Sequence, residues 1–131
     1  MNEIILEAKT DNIDKVMDFI NEQLGDCPMK VRNKIEIAVD EIFSNIANYA
    51  YQPEVGGVTV RVAVDSDISI EFEDSGFAYD PLSKDDPDVT LPVGERKVGG
   101  LGVFMVKKIM DSVEYRREGD KNILTIQKSL N

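Results

Sequence analysis

Apolar residues recur along this chain with two periods, and each change of period marks a change of element. Ile4 to Ala8 is a short apolar run that reads as a first strand. Ile13, Val16, Met17, Ile20 and Leu24 then repeat at helical spacing, with Asp11 or Asn12 as the expected cap and Gly25 and Pro28 as the stop. A second helix is predicted from about Lys30 to Tyr51. At about 100° per residue, Ile35, Ala38, Val39, Ile42, Ile46 and Tyr49 share one stripe. Gln52-Pro53 ends it.

The period then drops to two. Val58, Val60, Val62 and Val64 alternate with Thr59, Arg61 and Ala63, and after a turn at Asp65-Ser66-Asp67 the set Ile68, Ile70 and Phe72 alternates with Ser69, Glu71 and Glu73. Residues 77–98 show no period, contain Pro81, Pro87 and Pro92, and are expected to form a lid. Gly99-Gly100-Leu101-Gly102 opens a short third helix carrying Phe104, Val106, Ile109 and Met110. Ser112 to Glu118 and Lys121 to Lys128 read as a hairpin about Gly119-Asp120, with Asn122 on the parity of Leu124 and Ile126. The expected architecture is α/β (α+β): a two-layer sandwich whose mixed, largely antiparallel sheet is covered on one face by three helices.

Composition narrows what such a domain can do. At 131 residues, one domain spanning 1–131 is expected. A net charge of −10 argues against a partner with a phosphate backbone, so nucleic acid is not expected. No run of eighteen apolar residues occurs and the first residues do not resemble a signal peptide, so the expectation is a cytoplasmic protein with no membrane partner. Cys27 is the sole cysteine, which excludes a disulfide within the chain, and with no histidine no imidazole can act as base, ligand or phospho-acceptor.

Candidate chemistry lies at the margins of these elements. Glu41, Asn45 and Asn48 stand at i, i+4 and i+7, flanking the apolar stripe. A carboxylate one turn from an amide carbonyl suits a hydrated Mg²⁺ or a base beside a phosphate; it is also an ordinary amphipathic boundary. Strand parity aims Asp74 at the core, which requires a hydrogen-bond donor for it; alternatively the strand ends at Glu73 and Asp74 begins the turn at Ser75-Gly76. Glycines at a helix N-terminus let backbone N–H groups approach a phosphate, or serve as a flexible turn. Arg96 and Lys97 are cations just before those glycines.

Together these stretches resemble the GHKL superfamily of ATP-binding domains, the Bergerat fold shared by gyrase, mismatch-repair ATPases and sensor histidine kinases. The motifs that carry the resemblance are Glu41-x-x-x-Asn45, Asp74-x-Gly76-x-x-x-Asp80-Pro81 and Gly100-x-Gly102, in that order, over about Lys30 to Lys128. It implies ATP and Mg²⁺ as cofactors. Asn45 would ligate Mg²⁺, Glu41 would be the catalytic base, and Asp74 would accept the adenine amino group. Gly76 would leave room for the base, while Gly100, Leu101 and Gly102 would border the phosphates, Asp80 would belong to the nucleotide site and Arg96 would meet the terminal phosphate.

Tyr49-Ala50-Tyr51 makes the chain most similar to bacterial anti-sigma-factor serine/threonine-protein kinases. That implies two partners, a sigma factor and an anti-anti-sigma (antagonist) protein, and a possible homodimer. A nucleotide-gated sequestration protein without transfer activity and a detached sensor-kinase domain are the alternatives. Tyr49 stands where these relatives often have His. Lys121-Asn122 replaces the usual Gly-Thr, and the resemblance would then have the Asn122 amide take the place of a Thr hydroxyl near adenine.

Overall fold

A computed structural model describes residues 2–51, 55–78 and 100–130. Strand β1 (Asn2–Glu7) leads into helix α1 (Ile13–Leu24) and helix α2 (Met29–Asn45), which runs on into a π-helical turn at Ile46–Ala50. Strands β2 (Gly57–Val64) and β3 (Asp67–Asp74), helix α3 (Gly100–Ile109) and strands β4 (Ser112–Glu118) and β5 (Lys121–Ser129) follow. The sheet has the order β1-β2-β3-β5-β4. Every pairing among the described residues is antiparallel, which narrows the mixed sheet expected above.

One face of the sheet makes the core. Val58, Val60 and Val62 of β2 lie beside Ile68, Ile70 and Phe72 of β3 and Ile126 of β5, all buried. The helices cover that face with Val16, Ile20 and Leu24 from α1, with Ile35, Ala38, Val39, Ile42 and Phe43 from α2, and with Val106 from α3. The stripe expected on α2 is therefore its buried face, widened by Phe43. The Tyr49 side chain lies outside what is described.

The other face is covered by charge. Arg61 lies 3.0 Å from Glu3 and 3.2 Å from Glu73, Lys121 pairs with Glu73 at 3.2 Å, and Arg116 pairs with Glu71 at 3.2 Å. The alternation of β2 and β3 produces both faces at once, with valine and isoleucine inward and this lattice outward.

Helix α1 corrects one expectation. Neither Asp11 nor Asn12 caps it through a side chain. Thr10–Asn12 forms a 3-10 turn instead, and Asn12 Nδ2 donates to the Glu7 carbonyl at 2.8 Å, so the amide fastens the end of β1.

Candidate functional site

Between α2, α3 and the ends of the central strands lies a cavity of about 220 Å³. Its walls are largely apolar, with Ile42, Val106 and Leu124 among them, and its polar groups stand at two ends. Asp74 and Asn122 form one end. Glu41 stands toward the other, with Asn45 one turn nearer along α2.

Strand β3 runs through to Asp74, so its carboxylate does point with Ile68, Ile70 and Phe72, and it is only 6% exposed. The donor that burial demands comes from the neighbouring strand. Asp74 is opposite Asn122 in the register of β3 and β5, and Asn122 Nδ2 donates to Asp74 Oδ1 at 3.0 Å. The backbone N–H of Gly76 donates to the same oxygen at 2.9 Å. Both bonds fall on Oδ1, and among the described residues Oδ2 has no partner.

Gly76 is required by a contact that the sequence did not reveal. A Cβ built there would sit 2.2 Å from the Ala50 carbonyl oxygen, and the next residue seals the approach with Phe77 N–H donating to that oxygen at 3.0 Å. Tyr51 ties the turn after Asp74 to the start of β2. Its hydroxyl donates to the Gly57 carbonyl at 2.6 Å and accepts from the Ser75 N–H at 2.7 Å, and burial pushes its ionisation above the ordinary phenolic range.

At the far end Glu41 meets the first turn of α3. A Cβ on Gly102 would fall 2.1 Å from Glu41 Oε2, so the glycine admits the carboxylate. Neither the Glu41 carboxylate nor the Asn45 amide has a hydrogen-bond or ion-pair partner among the described residues, and both line the cavity. The first turn of α3, Gly100 to Gly102, presents backbone N–H groups without intrahelical partners, at the end of the helix dipole that favours anions. Along α2 and the π turn, Ala50 lies nine steps after Glu41, a span of roughly 13 Å at about 1.5 Å per residue. That is the scale of an extended nucleoside triphosphate.

The structure thus brings Glu41, Asn45, Asp74 and Asn122 to one cavity, with Gly76 behind its base and Gly102 against Glu41. Asn48 is exposed and departs from the line of Glu41 and Asn45, because the wider π turn breaks the 3.6-residue register after Asn45. Asp80, Arg96 and most of the expected lid lie outside the described residues, as does the side chain of Leu101. Tyr115 and Arg117, which bond to Asn122, were not singled out from the sequence. The Gly119-Asp120 hairpin could have found them, since it places Arg117 directly opposite Asn122.

Among the described residues no three carboxylate or thiol side chains converge to hold a metal. The donor set fits a Mg²⁺ that takes one or two protein oxygens and completes its shell with phosphates and water. The Asn45 amide carries an oxygen of that kind at the cavity, with Glu41 one turn away.

The profile of the family described as histidine kinase-like ATPase domain matches residues 6–128. The chain is similar to the serine/threonine-protein kinase BtrW of Bordetella bronchiseptica, 26% identical over 100 residues, which cover 74% of this chain and 70% of that protein. It is similar also to the serine-protein kinase RsbW of Listeria monocytogenes, 30% identical over 98 residues, 70% of this chain and 62% of that protein. With RsbW of Bacillus cereus identity is 28% over 69% of this chain and 59% of that protein, so the chain spans about three fifths of the length of these RsbW relatives. Among solved structures, the histidine kinase domain of the blue-light activated histidine kinase from Erythrobacter litoralis superposes with a TM-score of 0.61. That likeness has 18% identity, covers 92% of this chain and 60% of the other, and shows the fold.

Proposed function

The chain belongs to the histidine kinase-like ATPase domain family, and on that premise we propose that it is a Mg-ATP-dependent serine/threonine-protein kinase that acts as an anti-sigma factor in the cytoplasm. Its phosphoryl acceptor is an anti-anti-sigma (antagonist) protein, and its second partner is the sigma factor that it sequesters. The kinase names of the relatives support the reaction class.

The observation that carries the reading is the Glu41 carboxylate, set against the first turn of α3 with no partner among the described residues. A site that only bound a triphosphate would gain nothing from an uncompensated negative charge there. A carboxylate in that place is useful when it takes a proton.

In this reading Asp74 Oδ2 accepts from the amino group of adenine, and the N–H groups of Gly100, Leu101 and Gly102 face the phosphates. Asn45 would hold Mg²⁺ together with phosphate oxygens, and the ion would neutralise charge on the phosphates. Glu41 orients the acceptor hydroxyl and takes its proton as the oxygen bonds to the γ-phosphorus. The bond from that phosphorus to the β–γ bridging oxygen breaks, and ADP leaves. Asp80 and Arg96 are assigned to the nucleotide and its terminal phosphate from the sequence motif alone. The reading is tested by transfer of label from γ-labelled ATP, with Mg²⁺, to antagonist-type proteins; stable label on serine or threonine supports it, and ATP binding without transfer to any acceptor overturns the kinase assignment.

A further inference from the structure

Asn122 is the hub of a directional hydrogen-bond network. Its Oδ1 accepts from Tyr115 Oη at 2.5 Å and from Arg117 Nη1 at 3.0 Å, while its Nδ2 donates to the Phe77 carbonyl at 2.8 Å and to Asp74 Oδ1 at 3.0 Å. The direction is forced from both sides. A guanidinium can only donate, and a backbone carbonyl can only accept. Arg117 therefore fixes which end of the amide is oxygen, and Phe77 fixes which end is nitrogen.

We infer that Tyr115 and Arg117 are positioning residues that act through Asn122 to make Asp74 present an acceptor to the cavity, and so select a purine that bears an exocyclic amino group. The inference rests on the proposed nucleotide reading of the cavity. With Asn122 Nδ2 and the Gly76 N–H both on Oδ1, the carboxylate has its Oδ2 left for a ligand among the described residues. An amino group on a purine ring meets that oxygen with a donor. A ring carbonyl at the same place would set acceptor against acceptor, the kind of mismatch that a polar site rejects strongly.

Arg117 adds a second restraint. The same Nη1 donates to the Gly76 carbonyl at 3.2 Å, so one guanidinium holds both the amide and the turn that follows Asp74. Without the donors from Tyr115 and Arg117, the Asn122 nitrogen stays on Phe77 and Asp74, but the amide loses two of the contacts that fix its place and can shift. A shifted amide carries Asp74 Oδ1 with it, and the acceptor at the cavity wall is no longer held in one place.

The experiment is a comparison of ATP and inosine triphosphate binding to the full chain with Mg²⁺, since the two ligands differ at purine position 6 and share their phosphates. The variants are Arg117→Met, Arg117→Lys, and Tyr115→Phe combined with Arg117→Met. Arg116→Met, on the opposite face of β4, is the control. The ratio of ATP to inosine triphosphate affinity is expected to fall about tenfold in the double variant, to recover in part with Arg117→Lys, and to stay unchanged in the control.

An unchanged ratio in variants that still bind ATP overturns the inference, as does an equal loss of both ligands, which would mean that the two side chains only pack the site. Failure of the wild type to bind ATP overturns the nucleotide reading, and this inference with it. If the double variant does not fold, Arg117→Met alone decides, because it leaves the cavity's lining side chains in place.

Discussion

Glu41 and Gly102 touch: a methyl group placed on the Gly102 backbone would lie 2.1 Å from Glu41 Oε2 and 2.9 Å from its Cδ. The obstructed atoms are the far end of a flexible side chain, so Gly102→Ala pushes the carboxylate aside at little cost to the fold. Phosphoryl transfer is expected to fall by at least tenfold while the Tm moves by no more than about 2 °C, the range of a change worth about 0.5 kcal/mol. Unaltered transfer in Gly102→Ala would show that the position of the Glu41 carboxylate is irrelevant to the reaction.

Gly76→Ala makes the contrasting case. Its methyl group would meet the carbonyl oxygen of Ala50 at 2.2 Å and the carbonyl carbon at 2.7 Å, which are backbone atoms without freedom to swing away. A loss of about 1–3 kcal/mol is expected, read as a Tm lower by roughly 4–12 °C. A thermal melt matching wild type would contradict the close packing of the strand end on the π turn.

Asp74→Asn separates structure from recognition. The side-chain oxygen of Asn can still accept from Asn122 and Gly76, while its NH₂ group replaces the oxygen facing the cavity. ATP affinity is expected to drop at least tenfold with only a small change in Tm. Calorimetric binding as tight as wild type would make the adenine assignment wrong.

Acid sensitivity should come from the sheet face opposite the cavity and from the start of β4. For Glu73, burial opposes ionisation, but hydrogen bonds and charges from Arg61 and Lys121 outweigh it and hold the carboxyl below its ordinary range near 4.5. The Asp111 carboxyl is held below its ordinary value near 3.8, first by the Ser129 N–H and then by Lys128. A lowered folded value means that the unfolded chain binds these protons more readily, so the contribution is full above the ordinary values and is lost as pH falls through the lowered ones. Glu73→Gln should flatten the fall of Tm below about pH 4.5. An acid limb identical to wild type would show that this carboxylate is not coupled to folding.

Much of this was legible in the sequence because it depends on period and parity. The alternation from Val58 to Phe72 defined two strands with their faces, and of the two readings open for Asp74 the one that carries the alternation a step further into the core is the one found. The stripe on α2 gave its buried face in the same way. What escaped depends on neighbours that one element does not contain. Gly76 answers to Ala50, Gly102 to Glu41, and Asn122 to Tyr115 and Arg117 across a hairpin. The π turn escaped too, because the apolar pattern carries on through Ile46, and with it went the expectation that Asn48 would share the line of Glu41 and Asn45. Asn12 looked like a cap, yet its amide is drawn to the end of β1.

The proposed role of Glu41 as the catalytic base of a kinase is tested by comparing wild type with Glu41→Ala in two readouts, ATP affinity and label transfer from γ-labelled ATP to an antagonist-type protein. The expected result is acid-stable serine or threonine label with wild type, none with Glu41→Ala, and ATP affinity within about threefold between the two, since removing a group that acts on the reaction leaves ground-state binding nearly intact. Transfer that persists in Glu41→Ala, or ATP binding that collapses together with transfer, would contradict the role given to Glu41.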